Sequence, residues 1–168
     1  MTHAYLAQSR IESPLGPLTL AATARGLAGV WFDGQDHHPL QLQAPVDATH
    51  PLLVRAAAEL AAYWADAGHR FLLPLDPQGS DFQQAVWRAL LEIAPGARST
   101  YGAVAQRIGR PDAVRAVGGA IGRNPIGIIV PCHRVVGKDG TLTGYAGGLP
   151  RKQALLQHEE ALRQPVLV

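Results

Sequence analysis

The sequence predicts an α/β chain of the α+β kind: a small sheet-containing N-terminal domain over residues 1–76 and a mainly helical C-terminal domain over residues 80–163. Three observations predict it. The opening of the chain holds three short extended segments separated by turn formers. An alanine- and leucine-rich stretch without proline or glycine follows. Beyond residue 80, apolar residues recur at helical spacing.

Ala4 to Glu12 and Leu18 to Thr23 flank the breaker Ser13-Pro14-Leu15-Gly16-Pro17, and Leu27 to Phe32 stops at Asp33-Gly34. Together they predict an antiparallel meander. His37 to Pro51 is polar and irregular and reads as surface loop, whereas Leu52 to Ala67 predicts a helix stopped at Gly68. The turn formers of LLPLDPQGS, residues 72–80, predict the domain boundary.

Asp81 is the expected cap of a helix from Phe82 to Ile93, whose Phe82, Val86, Trp87, Leu90 and Ile93 form one apolar stripe before Pro95-Gly96 stops it. Ser99 or Thr100 opens a helix from Tyr101 to Ile108. Gly109-Arg110-Pro111-Asp112 separates it from a helix over Ala113 to Ile121, a helix-turn-helix pattern. Gly118, Gly119 and Gly122 weaken the second helix by roughly 1 kcal/mol each relative to alanine. They also leave its surface without bulk, so another backbone can approach; a packed helix and a sugar-phosphate chain both fit. Ile126 to Val130 reads as a short strand or buried extended run. A last helix is expected from Pro150 to about Arg163, with Ala154, Leu155, His158 and Ala161 on one face.

A hydrophobic content of 47% in 168 residues is ample for a packed core and excludes general disorder. The single cysteine excludes an internal disulfide and a multi-sulfur metal site. No basic region followed by an apolar core opens the chain, and no apolar run approaches the roughly 18 residues of a membrane span. A cytoplasmic chain with no membrane association is expected. Residues 1–80 carry 4 Arg/Lys against 7 Asp/Glu, and residues 81–168 carry 11 against 6, a shift from −3 to +5. The basic half is a weak indication of a polyanionic partner.

That half also holds Cys132, in Pro131-Cys132-His133-Arg134. A lone cysteine is often a small buried hydrophobe. Here a possible base, His133, and a positive charge, Arg134, sit beside it, which suits a thiolate nucleophile. On an extended strand, adjacent residues point to opposite faces, so the pair has to lie in a bend or communicate through water. Glu159 is a candidate orienter of the His133 ring, which a base needs.

PCHRV at 131–135, Asn124-Pro125 before it and Gly144-Tyr145-Ala146-Gly147-Gly148 after it resemble the O6-alkylguanine-DNA alkyltransferase family, also called methylated-DNA–protein-cysteine methyltransferases. FQQAVW at 82–87, STYGAVAQRIG at 99–109, RAVGGAIGRNP at 115–125 and LLQHE at 155–159 extend the resemblance in order. It implies a DNA-repair methyltransferase in which a cysteine takes the alkyl group from guanine O6 as a stable thioether and is not regenerated. O4-alkylthymine is left open as a second substrate, and a lesion sensor without transfer is the alternative. The resemblance also implies a ribonuclease-H-like N-terminal domain, double-stranded DNA as the partner and no cofactor. Some relatives hold a structural zinc through N-terminal cysteines, which this chain lacks there, so no metal is expected, and the oligomeric state is left open with a monomer favoured.

Residue by residue, the resemblance makes Cys132 the acceptor, His133 the base acting through water, Glu159 the carboxylate that holds His133, and Asn124 the brace of the turn and thiolate. It implies that Tyr101 donates to the purine and crowds the nucleotide's phosphate. Arg115 is implied to enter the base stack and fill the space left by the flipped nucleotide. Ala116, Gly118, Gly119 and Ile121 are implied to press against the minor groove. Val130, Tyr145 and Ala146 are implied to line the guanine site. Many relatives carry serine at the last of these positions, so here only the Ala146 backbone N–H is left to reach guanine O6.

Overall fold

An antiparallel meander, β1 (Tyr5–Ile11), β2 (Leu18–Thr23) and β3 (Leu27–Phe32), opens the computed structural model, which describes residues 3–163. All six β3 residues are buried, although β3 is the last strand of its sheet. Helix α1 (Pro51–Ala65) covers one face with Leu53, Ala56, Leu60 and Tyr63, spaced three and four apart. On the opposite face the Trp31 indole lies over Gly29, where a Cβ would come within 2.0 Å of the ring; only glycine fits there.

Two passing segments take the free edge of β3. Leu27 N–H donates to Pro74 O at 2.9 Å and Val30 N–H to Pro125 O at 2.9 Å, while Gly127 N–H donates back to Val30 O at 3.0 Å. The second segment leads straight into Pro131-Cys132, so the sheet is a fixed support for the cysteine. One continuous apolar cluster includes Leu20, Leu60, Val86, Ile126 and Leu155 and thus runs through both halves of the chain.

Helix boundaries differ from the expected ones for local reasons. α1 starts at Pro51, where a missing N–H costs nothing, and ends at Ala65 because Asp66 is extended. α2 (Asp81–Leu90) is capped by Ser80 and not by Asp81. The Ser80 hydroxyl accepts from Gln83 N–H at 3.2 Å, and the Gln83 side chain accepts from Ser80 N–H at 2.9 Å. This reciprocal box leaves Asp81 in the first turn, where its charge meets the positive end of the helix. α2 stops before Ile93, since Pro95 disfavours helical backbone at Ala94.

Thr100 caps α3 (Tyr101–Arg107), its hydroxyl accepting from Ala103 N–H at 3.1 Å. A turn with Gly109 at φ 74° leads to α4 (Val114–Gly122), which buries Val117, Ala120 and Ile121. Trp87 Nε1 donates to Ala120 O at 2.9 Å and holds α4 on α2. α5 (Leu149–Glu159) turns Lys152, Leu155, Leu156 and Glu159 inward, where Ala154, Leu155, His158 and Ala161 were expected. The chain then tightens into a 3-10 turn, Glu160–Leu162. Two pairs of residues form a short parallel ladder that the sequence does not suggest: β4 (Ser99–Thr100) beside β5 (Val135–Val136). Among the described residues no helix is long and apolar enough to cross a membrane.

Candidate active site

Ile126 to Val130, expected as a strand or extended run, is instead folded on itself. Asn124 explains it. Its side-chain oxygen accepts from Ile126 N–H at 3.0 Å and its amide donates to Val130 O at 2.8 Å, so one side chain satisfies both ends of the segment. Ile129 N–H donates to Gly127 O at 2.7 Å, closing a γ-turn about Ile128, whose φ is 70°. A β-branched residue in that region carries strain of order 1–3 kcal/mol. A second tight turn about Pro131 joins Cys132 N–H to Val130 O at 2.8 Å. The chain enters the cysteine through two consecutive tight turns.

Cys132, His133 and Arg134 then form a single 3-10 turn, the bend that the adjacent Cys-His pair needs. Cys132 is 7% exposed, and His133 and Glu159 are buried. His133 Nε2 lies 2.8 Å from Glu159 Oε2. Arg134 grips the same carboxylate with both arms, Nε to Oε1 at 2.8 Å and Nη2 to Oε2 at 3.0 Å, and its Nη1 donates to Ile93 O at 2.6 Å. Tyr63 OH donates to Glu159 Oε2 at 2.7 Å. Burial opposes a charge on Glu159, but the hydrogen bonds from His133 and Arg134 outweigh it and hold the carboxyl well below the usual carboxylate range.

An ionised Glu159 accepts, so His133 carries its proton on Nε2 and presents the lone pair of Nδ1. Among the described residues Nδ1 has no hydrogen-bond partner. Burial pushes the His133 ring below its ordinary value, against the pull of Glu159. Burial likewise pushes the Cys132 thiol up, with the Asn124 amide and the Lys152 ammonium pulling part of the way back. The resting pair is thus a neutral thiol beside a neutral imidazole.

Lys152 is fully buried, and Nζ donates to Val135 O at 2.6 Å and Thr143 O at 2.8 Å. Burial brings it down to about 8. Neither Lys152 nor Tyr63 was among the expected site residues. A search for apolar stripes passes over a buried lysine, although Lys152, Leu155, Leu156 and Glu159 keep helical spacing.

The structure brings Tyr101, Gly118, Ile121, Tyr145 and Ala146 together around a cavity of about 400 Å³, with His37 on the wall contributed by the N-terminal half. Asp36 N–H donates to Ala146 O at 2.9 Å and ties that wall to the glycine-rich loop. Tyr101 OH accepts from Thr143 Oγ1 at 2.9 Å. Val130 is buried, and its carbonyl is occupied by Asn124 and Cys132. Arg115, Ala116 and Gly119 lie on the exposed face of α4, outside the cavity.

Comparison with known proteins shows the family. Residues 81–161 match the family model described as 6-O-methylguanine DNA methyltransferase, DNA binding domain. A methylated-DNA–protein-cysteine methyltransferase of Mycobacterium tuberculosis is 47% identical over 151 residues, 90% of each chain. One from Methanosarcina barkeri is 47% identical over 153 residues, 89% of this chain and 94% of its own. A crystal structure of Mycobacterium tuberculosis OGT in complex with DNA superposes with a TM-score of 0.84 at 44% identity, covering 94% of this chain and 95% of that one. With a cysteine, a buried histidine-glutamate pair and relatives of this likeness over nearly the whole length, the chain belongs to the methylated-DNA–protein-cysteine methyltransferase family.

Proposed function

We propose that this chain repairs alkylated DNA directly, moving the alkyl group from guanine O6 to its own Cys132 once per molecule. The observation that carries the reading is the buried Cys132 turn coupled to the His133–Glu159 pair. His133 Nδ1 takes the thiol proton, through water where the two atoms do not meet. The Sγ electron pair then attacks the alkyl carbon, an S–C bond forms as the C–O6 bond breaks, and guanine leaves with that electron pair and is reprotonated. Glu159 stabilises the imidazolium formed on the way, and Lys152 supplies positive potential to the thiolate. The Ala146 N–H and the Tyr101 hydroxyl are the donors for the leaving purine. A thioether has no leaving group to release, so the cysteine stays blocked.

Double-stranded DNA is the partner, bound through the α3–α4 helix-turn-helix in the minor groove, with residues 1–76 supporting residues 80–163. A Cβ at Gly119 or Gly122 would meet nothing within 4 Å, so packing inside the protein does not explain these glycines. A closely approaching DNA backbone does. Arg115, exposed on the same helix, fills the stack when the damaged nucleotide turns into the cavity. Arg115→Ala should therefore slow repair of a duplex by about 10- to 100-fold, the equivalent of losing much of the compensation for unstacking. Reaction with a free O6-alkylguanine should be unchanged. Equal losses on both substrates would remove Arg115 from flipping.

The function itself is tested by titrating the protein with excess duplex carrying a labelled O6-methylguanine. Transfer should stop at one methyl per protein. Continued turnover would indicate a hydrolase, and binding without transfer would indicate a lesion sensor.

A further inference from the structure

Glu159 is held from an unexpected direction. Tyr63, at the end of α1 in the N-terminal half, is completely buried, and its hydroxyl donates to Oε2 at 2.7 Å, the same oxygen that faces His133 Nε2 at 2.8 Å. A buried tyrosine hydroxyl needs a partner, and this one has the carboxylate that orients the base. The ring is fixed on several sides: His158 and Trp64 lie edge-on at 4.9 Å and 5.2 Å between centroids, and Phe71 lies tilted at 5.8 Å. His158 Nε2 also lies 2.7 Å from Tyr63 O, so the last turns of α1 and α5 are clamped by two hydrogen bonds.

We propose that Tyr63 is a positioning residue for alkyl transfer, aiming Glu159 at His133 and moderating how strongly that carboxylate stabilises the protonated imidazole. The inference rests on the transfer reading above. An O–H dipole donated to Oε2 competes with His133 for the electron density of that oxygen, which leaves His133 a weaker base than it would be beside an otherwise identical carboxylate. Among the described residues the charged groups acting on His133 are Glu159 and Lys152 from α5 and Arg134 from its own turn; Cys132 precedes it in that turn, and Tyr63 acts through Glu159. Of these, Tyr63 alone is a neutral hydroxyl that can be deleted without changing a charge or removing the reacting sulfur. Burial and the neighbouring Glu159 both raise its phenol, so it stays protonated and remains a donor.

Tyr63→Phe keeps the ring and its packing and deletes only the donor. The rate of methyl transfer from duplex DNA should fall off in acid as His133 gains a proton. In Tyr63→Phe that acid limb should move to higher pH by about one unit, the effect of removing one hydrogen bond to the charged partner. Trp64→Phe serves as the control, because it trims the same aromatic cluster without touching Glu159; it should lower the melting temperature and leave the limb in place. His133 titration followed by NMR of the imidazole, without DNA, should show the same upward shift in Tyr63→Phe. No shift by NMR or by rate would reduce Tyr63 to packing and overturn the proposal. An NMR shift in a protein that transfers no methyl would keep Tyr63 in place and refute the transfer reading instead.

Discussion

Cys132→Ala should abolish methyl transfer and leave a folded protein that still binds lesion-containing DNA. The chain has one cysteine, so no second thiol can substitute for it. Attack at saturated carbon calls for a polarisable anionic nucleophile, and alanine offers no lone pair at all. The structural cost is small, because Sγ is one atom in a turn whose geometry is set by backbone hydrogen bonds and by Asn124. Losing one buried group of that size costs roughly 1 kcal/mol. Transfer should be undetectable by label incorporation, while affinity for an O6-methylguanine duplex, read by fluorescence anisotropy, stays near that of the unaltered protein. Loss of binding together with transfer would show that Cys132 shapes the DNA site as well as reacting in it.

Glu159→Gln should have a different signature, losing stability and activity together. The carboxylate receives Tyr63, His133 and both arms of Arg134 in a buried setting. Removing its charge leaves the Arg134 guanidinium buried without a counterion, which costs about 3–5 kcal/mol. For a chain of this size that lowers the melting temperature by about 10 °C or more. His133 also loses the anion that fixes its proton on Nε2, and the rate should drop by about a hundredfold or more. Glu159→Gln combined with Arg134→Met should recover part of the stability and none of the rate. Recovery of both would mean that Glu159 matters only as a counterion to Arg134.

Acid acts on the same carboxylate. Its folded pKa is depressed from an ordinary 4.5, so its stabilising contribution is fully present above that pH and is lost as the pH falls toward the folded value. Stability of the unaltered protein should therefore decline below about pH 4.5 more steeply than that of Glu159→Gln, measured by chemical denaturation at a series of pH values.

The three strands and the site motif were legible because each is a local signal. Strand boundaries fall where Pro14, Gly16 and Gly34 break the chain, and PCHRV with its flanking segments identifies the family in one linear stretch. What stayed hidden depends on distance. Tyr63 and Glu159 are 96 residues apart, and no periodicity links a helix-face tyrosine to a carboxylate on another helix. The β4–β5 ladder is two residues long on each side, too short for alternation to show. Ile126 to Val130 looks like a strand because its apolar content is right; only the tertiary placement of the Asn124 amide folds it. The α5 stripe misled for the opposite reason, since its inward face carries Lys152 and Glu159, whose charges are paired or hydrogen-bonded inside.

Everything proposed for the site turns on Cys132 Sγ receiving the alkyl group from DNA. The most direct measurement is the intact mass of the protein after incubation with excess duplex carrying one O6-methylguanine, followed by peptide mapping. A single gain of about 14 Da, the replacement of a thiol hydrogen by methyl, is expected on the peptide that contains Cys132. A protein that is folded, has a titratable thiol and shows no gain, or carries the methyl on any other residue, would contradict it.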